Sequence, residues 1–191
     1  MKTAILIGDS IRMGYQIHVE TALDGVARVW GPDANGGDSG NVRAHLSQWL
    51  ETGLGDIVHL NCGLHDIKKA FDSDQAQVDE SAYRENLIYI FETVLATGIP
   101  LVWATTTPVN ETWHHDRKGF DRFSADVDAY NAIAQDEAQK RGVAVDDLHD
   151  VIETAGRDEL LQEDGVHFSA EGCALLGRHV ATCVQKLWTE V

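Results

Sequence analysis

Ala4-Ile5-Leu6-Ile7-Gly8-Asp9-Ser10 is the stretch from which the fold is read. Its apolar run, half of it β-branched and without polar alternation, is the pattern of a strand buried on both faces. Gly8 permits a tight turn, and Asp9 and Ser10 are residue types that open helices. Residues 11–23 continue as that helix. A strand, a turn and a helix are predicted in that order.

The same pattern recurs down the chain. Ile57-Val58-His59-Leu60 and Leu101-Val102-Trp103-Ala104 are further apolar runs, and Ala27-Arg28-Val29-Trp30 is a weaker one. Gly142-Val143-Ala144-Val145-Asp146 predicts a fifth strand, at an edge. Helical spacing fills 41–51, 81–97, 121–141 and 169–188 between and after them, with Ser169 placed to cap the last. Trp30, Trp49, Trp103 and Trp188 read as core, and His59 as a core or sheet-edge histidine. Alternating elements imply an α/β fold, a parallel sheet of about five strands with helices on both faces, in one domain over 1–191. Long loops over 66–80 and 106–120 follow strands. They therefore fall at the carboxyl edge of the sheet, where such folds place ligands.

Charge narrows the function. The chain has 15 basic and 31 acidic side chains, a net charge of -16, which argues against nucleic acid and anionic lipid as partners. It has no apolar run of membrane-spanning length. Cys62, Cys173 and Cys183 form no metal or redox spacing and fit a reducing compartment. The N-terminus runs into a strand without an apolar leader, so a cytoplasmic location is expected; a leader removed beforehand would leave the same sequence.

Two motifs carry chemistry. Ser10 sits where a strand ends and a helix begins, and its own N–H is an unpaired donor aimed where an anion can sit. That suits an acyl-transfer nucleophile, though Asp9 or Ser10 would equally serve as a plain helix cap. The surroundings are not the G-x-S-x-G elbow, because position 12 is arginine. Near the other end lies Asp164-Gly165-Val166-His167. An imidazole can take a hydroxyl proton at neutral pH, and a carboxylate three residues earlier can orient it. The alternative is a turn aspartate beside a surface histidine.

Together these residues resemble the SGNH, or GDSL-type, hydrolases. Ile7-Gly8-Asp9-Ser10 is similar to that family's first block, Asn35-Gly36-Gly37-Asp38-Ser39 to its second, Gly63-Leu64-His65-Asp66 to its third and Asp164 to Ser169 to its last. The resemblance implies a flavodoxin-like three-layer α/β/α sandwich and hydrolysis of esters or thioesters, often of short acyl groups. It implies Ser10 as nucleophile, His167 as base and Asp164 as its orienter. It also implies an oxyanion hole from the Ser10 and Gly37 backbone N–H groups and the residue at 65. It implies no metal and no organic cofactor.

Position 65 departs from the family, which has asparagine there. Imidazole donates from one nitrogen when neutral and from both when charged, so His65 can stand in only in the right tautomer or protonated. Asp66, next in sequence, would favour protonation if it touched. The other roles for His65 are contact with substrate, or a site that no longer hydrolyses.

Two residues are candidates for substrate binding. Arg12, in the first turn after Ser10, could hold a carboxylate or phosphate, or pair with a local acid. Trp113 in the 106–120 loop could cover an acyl or sugar group, as could Phe71 in the other long loop. His114 and His115 beside Trp113 lack a third ligand at metal spacing, so metal is not expected. The expectation is a serine esterase acting on a small-molecule ester, with an acyltransferase or a non-catalytic binding module as alternatives.

Overall fold

A computed structural model describes residues 1–190. Five strands form one parallel sheet: β1 (Lys2–Ile7), β2 (Ala27–Trp30), β3 (Ile57–Leu60), β4 (Leu101–Ala104) and β5 (Ala144–Asp146). Their order is β2-β1-β3-β4-β5, that of the flavodoxin-like fold. In β1, Ala4 to Ile7 have no exposed surface, as do all four residues of β3. Each large aliphatic side chain buried this way stabilises the fold by about 1.5–3 kcal/mol.

The order explains the layers. From β1 the chain moves left through α1 (Ser10–Ala22) to β2. It then moves right through α2 (Ser39–Gly53), α3 (Glu80–Ala96) and α5 (Ser124–Arg141). Right-handed crossovers put helices of opposite travel on opposite faces. Accordingly α2, α3 and α5 pack in a row, while α1 packs on the last helix, α8 (Ala170–Glu190). The fold is the three-layer sandwich expected. The reversal of travel between β1 and β3 opens a crevice at their carboxyl ends, the usual ligand position.

The structure departs from the sequence reading in the loops. Residues 106–120 contain α4 (Glu111–Arg117), whose first turn is capped by the Asn110 side chain accepting from Trp113 N–H at 3.1 Å. Two short helices, α6 (Leu148–Ala155) and α7 (Arg157–Leu160), precede the final motif. The fifth helix starts at Ser124, not 121. Ser169 does cap α8, its hydroxyl accepting from Gly172 N–H at 3.2 Å. Trp103 is fully buried, Trp49 nearly so, and Trp30 and Trp188 pack half-buried against the core. Among the described residues no helix is long and apolar enough to cross a membrane.

Candidate active site

The helix cap and the candidate nucleophile are adjacent but distinct. Asp9 caps α1, its Oδ1 accepting from Ile11 N–H at 2.9 Å. Ser10 is thereby spared this task, and its hydroxyl lies 2.8 Å from His167 Nε2. Ser10 N–H, in the first turn of α1, has no hydrogen-bond partner among the described residues.

The Asp164–His167 pair is built by a turn rather than a helix. Gly165 adopts φ +71°, and a Cβ there would come within 2.5 Å of Asn110 O, so only glycine fits. Asp164 Oδ1 accepts from the N–H groups of Val166 (3.1 Å) and His167 (2.9 Å), while its Oδ2 faces His167 Nδ1 at 2.6 Å. Lys118 Nζ reaches the same Oδ2 at 3.0 Å. Burial works to raise the Asp164 carboxyl, but these hydrogen bonds outweigh it and hold the group well below the usual carboxylate range. An ionised carboxylate only accepts, so His167 Nδ1 carries the proton and Nε2 is left to accept from Ser10.

The second and third blocks meet the first at the crevice. Gly36 N–H donates to Gly8 O at 3.0 Å, and a Cβ on Gly36 would sit 2.7 Å from that oxygen. Glycine is required where these two backbones touch. Asp66, fully buried, accepts from Ser39 N–H with both oxygens (2.9 and 3.1 Å) and so ties the third block to the start of α2. Burial pushes its pKa up to about 7.

His65 lines the cleft with Ser10 and His167. Its imidazole is neutral at neutral pH: burial, helped by Lys68 and Arg122, lowers its pKa to about 4. The expected help from Asp66 is absent, because that carboxylate is turned to Ser39. His65 therefore has one N–H to offer.

Three expected placements are corrected. The Gly37 N–H is not open to the cleft, since it donates to Asn35 Oδ1 at 2.9 Å in a local turn. Arg12 does not face the serine. It is buried at 4% exposure, and its guanidinium donates to Gln16 Oε1 (2.7 Å), Pro32 O (2.8 Å) and Ala34 O (3.1 Å), holding the loop after β2. Trp113 lies in a separate hollow with Asp116, Arg117 and Glu163. Nor do the neighbouring histidines converge: His114 Nδ1 turns to Asp164 O (3.3 Å) and His115 Nδ1 to Asp121 Oδ1 (2.7 Å). Phe71 lies against the His115 ring.

The cleft has a volume of about 290 Å³. Its lining includes residues the sequence reading missed: Asn35, Leu64, Lys68, Lys118, Phe120 and Arg122. Lys68, Lys118 and Phe120 lie in the two long loops after β3 and β4, Asn35 and Leu64 lie within the second and third blocks, and Arg122, just past the second loop, carried no signal.

A family model described as the GDSL-like lipase/acylhydrolase family matches residues 6–175. Among curated proteins none matches the chain. Of the solved structures, a lipase/acylhydrolase from Enterococcus faecalis is similar with a TM-score of 0.80 at 21% identity, covering 97% of this chain and 96% of that one. An acetyl xylan esterase superposes with a TM-score of 0.77 at 17% identity, over 95% and 99%. A variant of an acetyl xylan esterase from Geobacillus stearothermophilus gives 0.77 at 17%, over 95% and 93%. At these identities the likeness speaks for the fold.

Proposed function

This chain belongs to the GDSL-like lipase/acylhydrolase family, a family of ester-bond hydrolases, and we propose that it cleaves small carboxylic esters through an acyl-enzyme on Ser10. The observation that carries the reading is the continuous hydrogen-bond line from Asp164 through His167 to Ser10, at 2.6 and 2.8 Å, ending in an open cleft.

Ser10 Oγ attacks the carbonyl carbon while its proton passes to His167 Nε2, and ionised Asp164 stabilises the imidazolium. The oxygen that becomes negative faces Ser10 N–H and the single N–H of neutral His65. His167 then returns the proton to the departing alcohol. A water that gives its proton to His167 attacks the acyl carbon, and Ser10 recovers its hydrogen.

A cleft of about 290 Å³ favours acetyl or other short acyl groups, and acetylated sugars fall within that range. The site lies within one domain, and the free state of Cys62, Cys173 and Cys183 supports a cytoplasmic setting.

The test is covalent. A fluorophosphonate should add once to the protein, at Ser10 by peptide mass, and Ser10→Ala should lose both the adduct and ester hydrolysis. A folded wild-type protein that resists the reagent and turns over no acetyl ester would refute the reading. Within it, His65→Asn should keep most of the activity and His65→Ala should lose roughly 10²–10³ in kcat. Equal rates in the two variants would remove His65 from the oxyanion site.

A further inference from the structure

The cleft is cationic in a protein that is otherwise strongly acidic. Acidic side chains outnumber basic ones 31 to 15, and several cations elsewhere are matched: Lys69 with Asp126, Arg84 with Asp136 and Glu137, Arg117 with Glu163, Lys140 with Asp136. Around the serine three cations gather, Lys68, Lys118 and Arg122. Lys118 is committed to Asp164. Lys68 and Arg122 have no ion-pair partner among the described residues.

These two cations share one aromatic ring. Lys68 Nζ lies 5.1 Å from the Phe120 centroid and the Arg122 guanidinium carbon 5.0 Å from it. Like charges brought this close repel, and burial adds to the cost. Burial lowers the pKa of both groups, that of Arg122 to about 10. The nearby acids do not relieve them directly. Asp9 caps α1, Asp38 caps α2 and binds Gln77, and Asp66 holds Ser39.

Arg122 is the sharper case. It is only 5% exposed, and its Nε donates to Leu64 O at 2.5 Å. Its two terminal nitrogens have no hydrogen-bond partner among the described residues, although the side chain lines the cleft. A buried guanidinium anchored through Nε, its fork unpaired in the cleft that also holds Ser10, is suited to a carboxylate or phosphate.

We propose that the ester taken by this site carries an anionic group, a carboxylate or a phosphate, seated between Arg122 and Lys68. This rests on the esterase reading above and names its substrate class. The anion completes the fork of Arg122, offsets the repulsion between the two cations and fixes the ester beside Ser10. In a molecule of net charge -16, this pocket is also what lets an anion approach the serine at all.

Three matched esters test the idea: 4-nitrophenyl acetate, 4-nitrophenyl hemisuccinate with the carboxylate on the acyl arm, and 3-carboxy-4-nitrophenyl acetate with it on the leaving group. One of the anionic esters should exceed 4-nitrophenyl acetate in kcat/KM by about tenfold, mainly through KM, and the advantage should shrink as salt is raised. Lys68→Ala and Arg122→Lys should each lower the anionic-to-neutral ratio by about tenfold. Inorganic phosphate and succinate should bind folded Ser10→Ala protein by calorimetry and lose that binding on Lys68→Ala; which of the two binds tighter separates phosphate from carboxylate. Hydrolysis of the neutral ester with no anionic preference and no anion binding overturns the proposal and leaves the esterase reading intact. Anion binding without hydrolysis of any ester refutes the esterase reading and overturns the ester part of the proposal with it, leaving an anion site alone. An Arg122→Lys variant that slows all three esters equally would place Arg122 at the reacting carbonyl and also overturn the proposal.

Discussion

Two of the aspartate–histidine assemblies among the described residues share nearly the same local chemistry. In one, Asp164 holds His167 at 2.6 Å, with side-chain exposures of 20% and 35%. In the other, Asp146 holds two histidines, His59 at 2.9 Å and His179 at 2.8 Å, with Asp146 at 2% and His59 at 0% exposure. In both, hydrogen bonds outweigh the burial that would raise the carboxyl and hold it well below the ordinary range. The difference is what the far side of the imidazole meets. His167 presents Nε2 to Ser10 at an open cleft. His59 presents Nδ1 to the core, where it has no hydrogen-bond partner, and its ring meets the edge of Tyr15. On the proposed reading of the site, where the second nitrogen points decides whether an aspartate–histidine pair serves catalysis or acts as structural cement.

Exchanging the carboxylates should separate the two roles. Asp164→Asn should cost roughly 10⁴ in kcat, because the wrong tautomer of His167 is then stabilised. Its effect on stability should stay within about 1 kcal/mol, since the pair is part-exposed. Asp146→Asn should do the opposite. It leaves one acceptor oxygen for two histidines, sets an amide N–H₂ against the other and removes the charge that ties β3, β5 and α8, so urea denaturation should show a loss of about 3 kcal/mol. Hydrolysis per folded molecule should persist. A large kcat loss in Asp146→Asn at a temperature where it is fully folded would erase the distinction.

The same contrast explains what could be read from the sequence. Asp164 and His167 lie three residues apart, so their partnership is local and visible. His59 and Asp146 lie 87 positions apart, and only the sheet joins them. Strands β1, β3 and β4 were legible because apolar runs without alternation have few other uses, whereas α4 is short, largely polar and held by its Asn110 cap. Arg12 misled for a geometric reason. Two residues along a helix is more than half a turn, so the side chain at 12 faces away from the one at 10. Asp66 misled in the same way, because neighbours in a turn point to different partners. Lys68 and Arg122 could not be paired from sequence. They converge only because 66–80 folds back on the segment after α4, with Lys69 and Asp121 exchanging backbone hydrogen bonds at 3.0 and 2.8 Å.

The smallest expected effect lies within the buried assembly itself. His179 is 41% exposed, and its pKa is raised above the ordinary value, chiefly by its hydrogen bond to Asp146. Stability from a raised histidine is fully present below its unfolded value, near pH 6.5, and is lost as pH rises through the folded one. Stability from the lowered Asp146 is present above its unfolded value, near pH 4, and is lost on acidification. The ion pair should therefore contribute most between about pH 4 and pH 6.5. At this exposure the contribution is about 0.5 kcal/mol. Denaturation of His179→Gln against wild type should show that deficit at pH 5.5 and a smaller one at pH 8.5. His59 is sealed from water and bonded to the same carboxylate, so it keeps β3 tied to β5 at both pH values. A deficit that grows toward pH 8.5 would mean that His179 holds Asp146 as a neutral hydrogen-bond donor, and that both histidines of the assembly serve as uncharged cement.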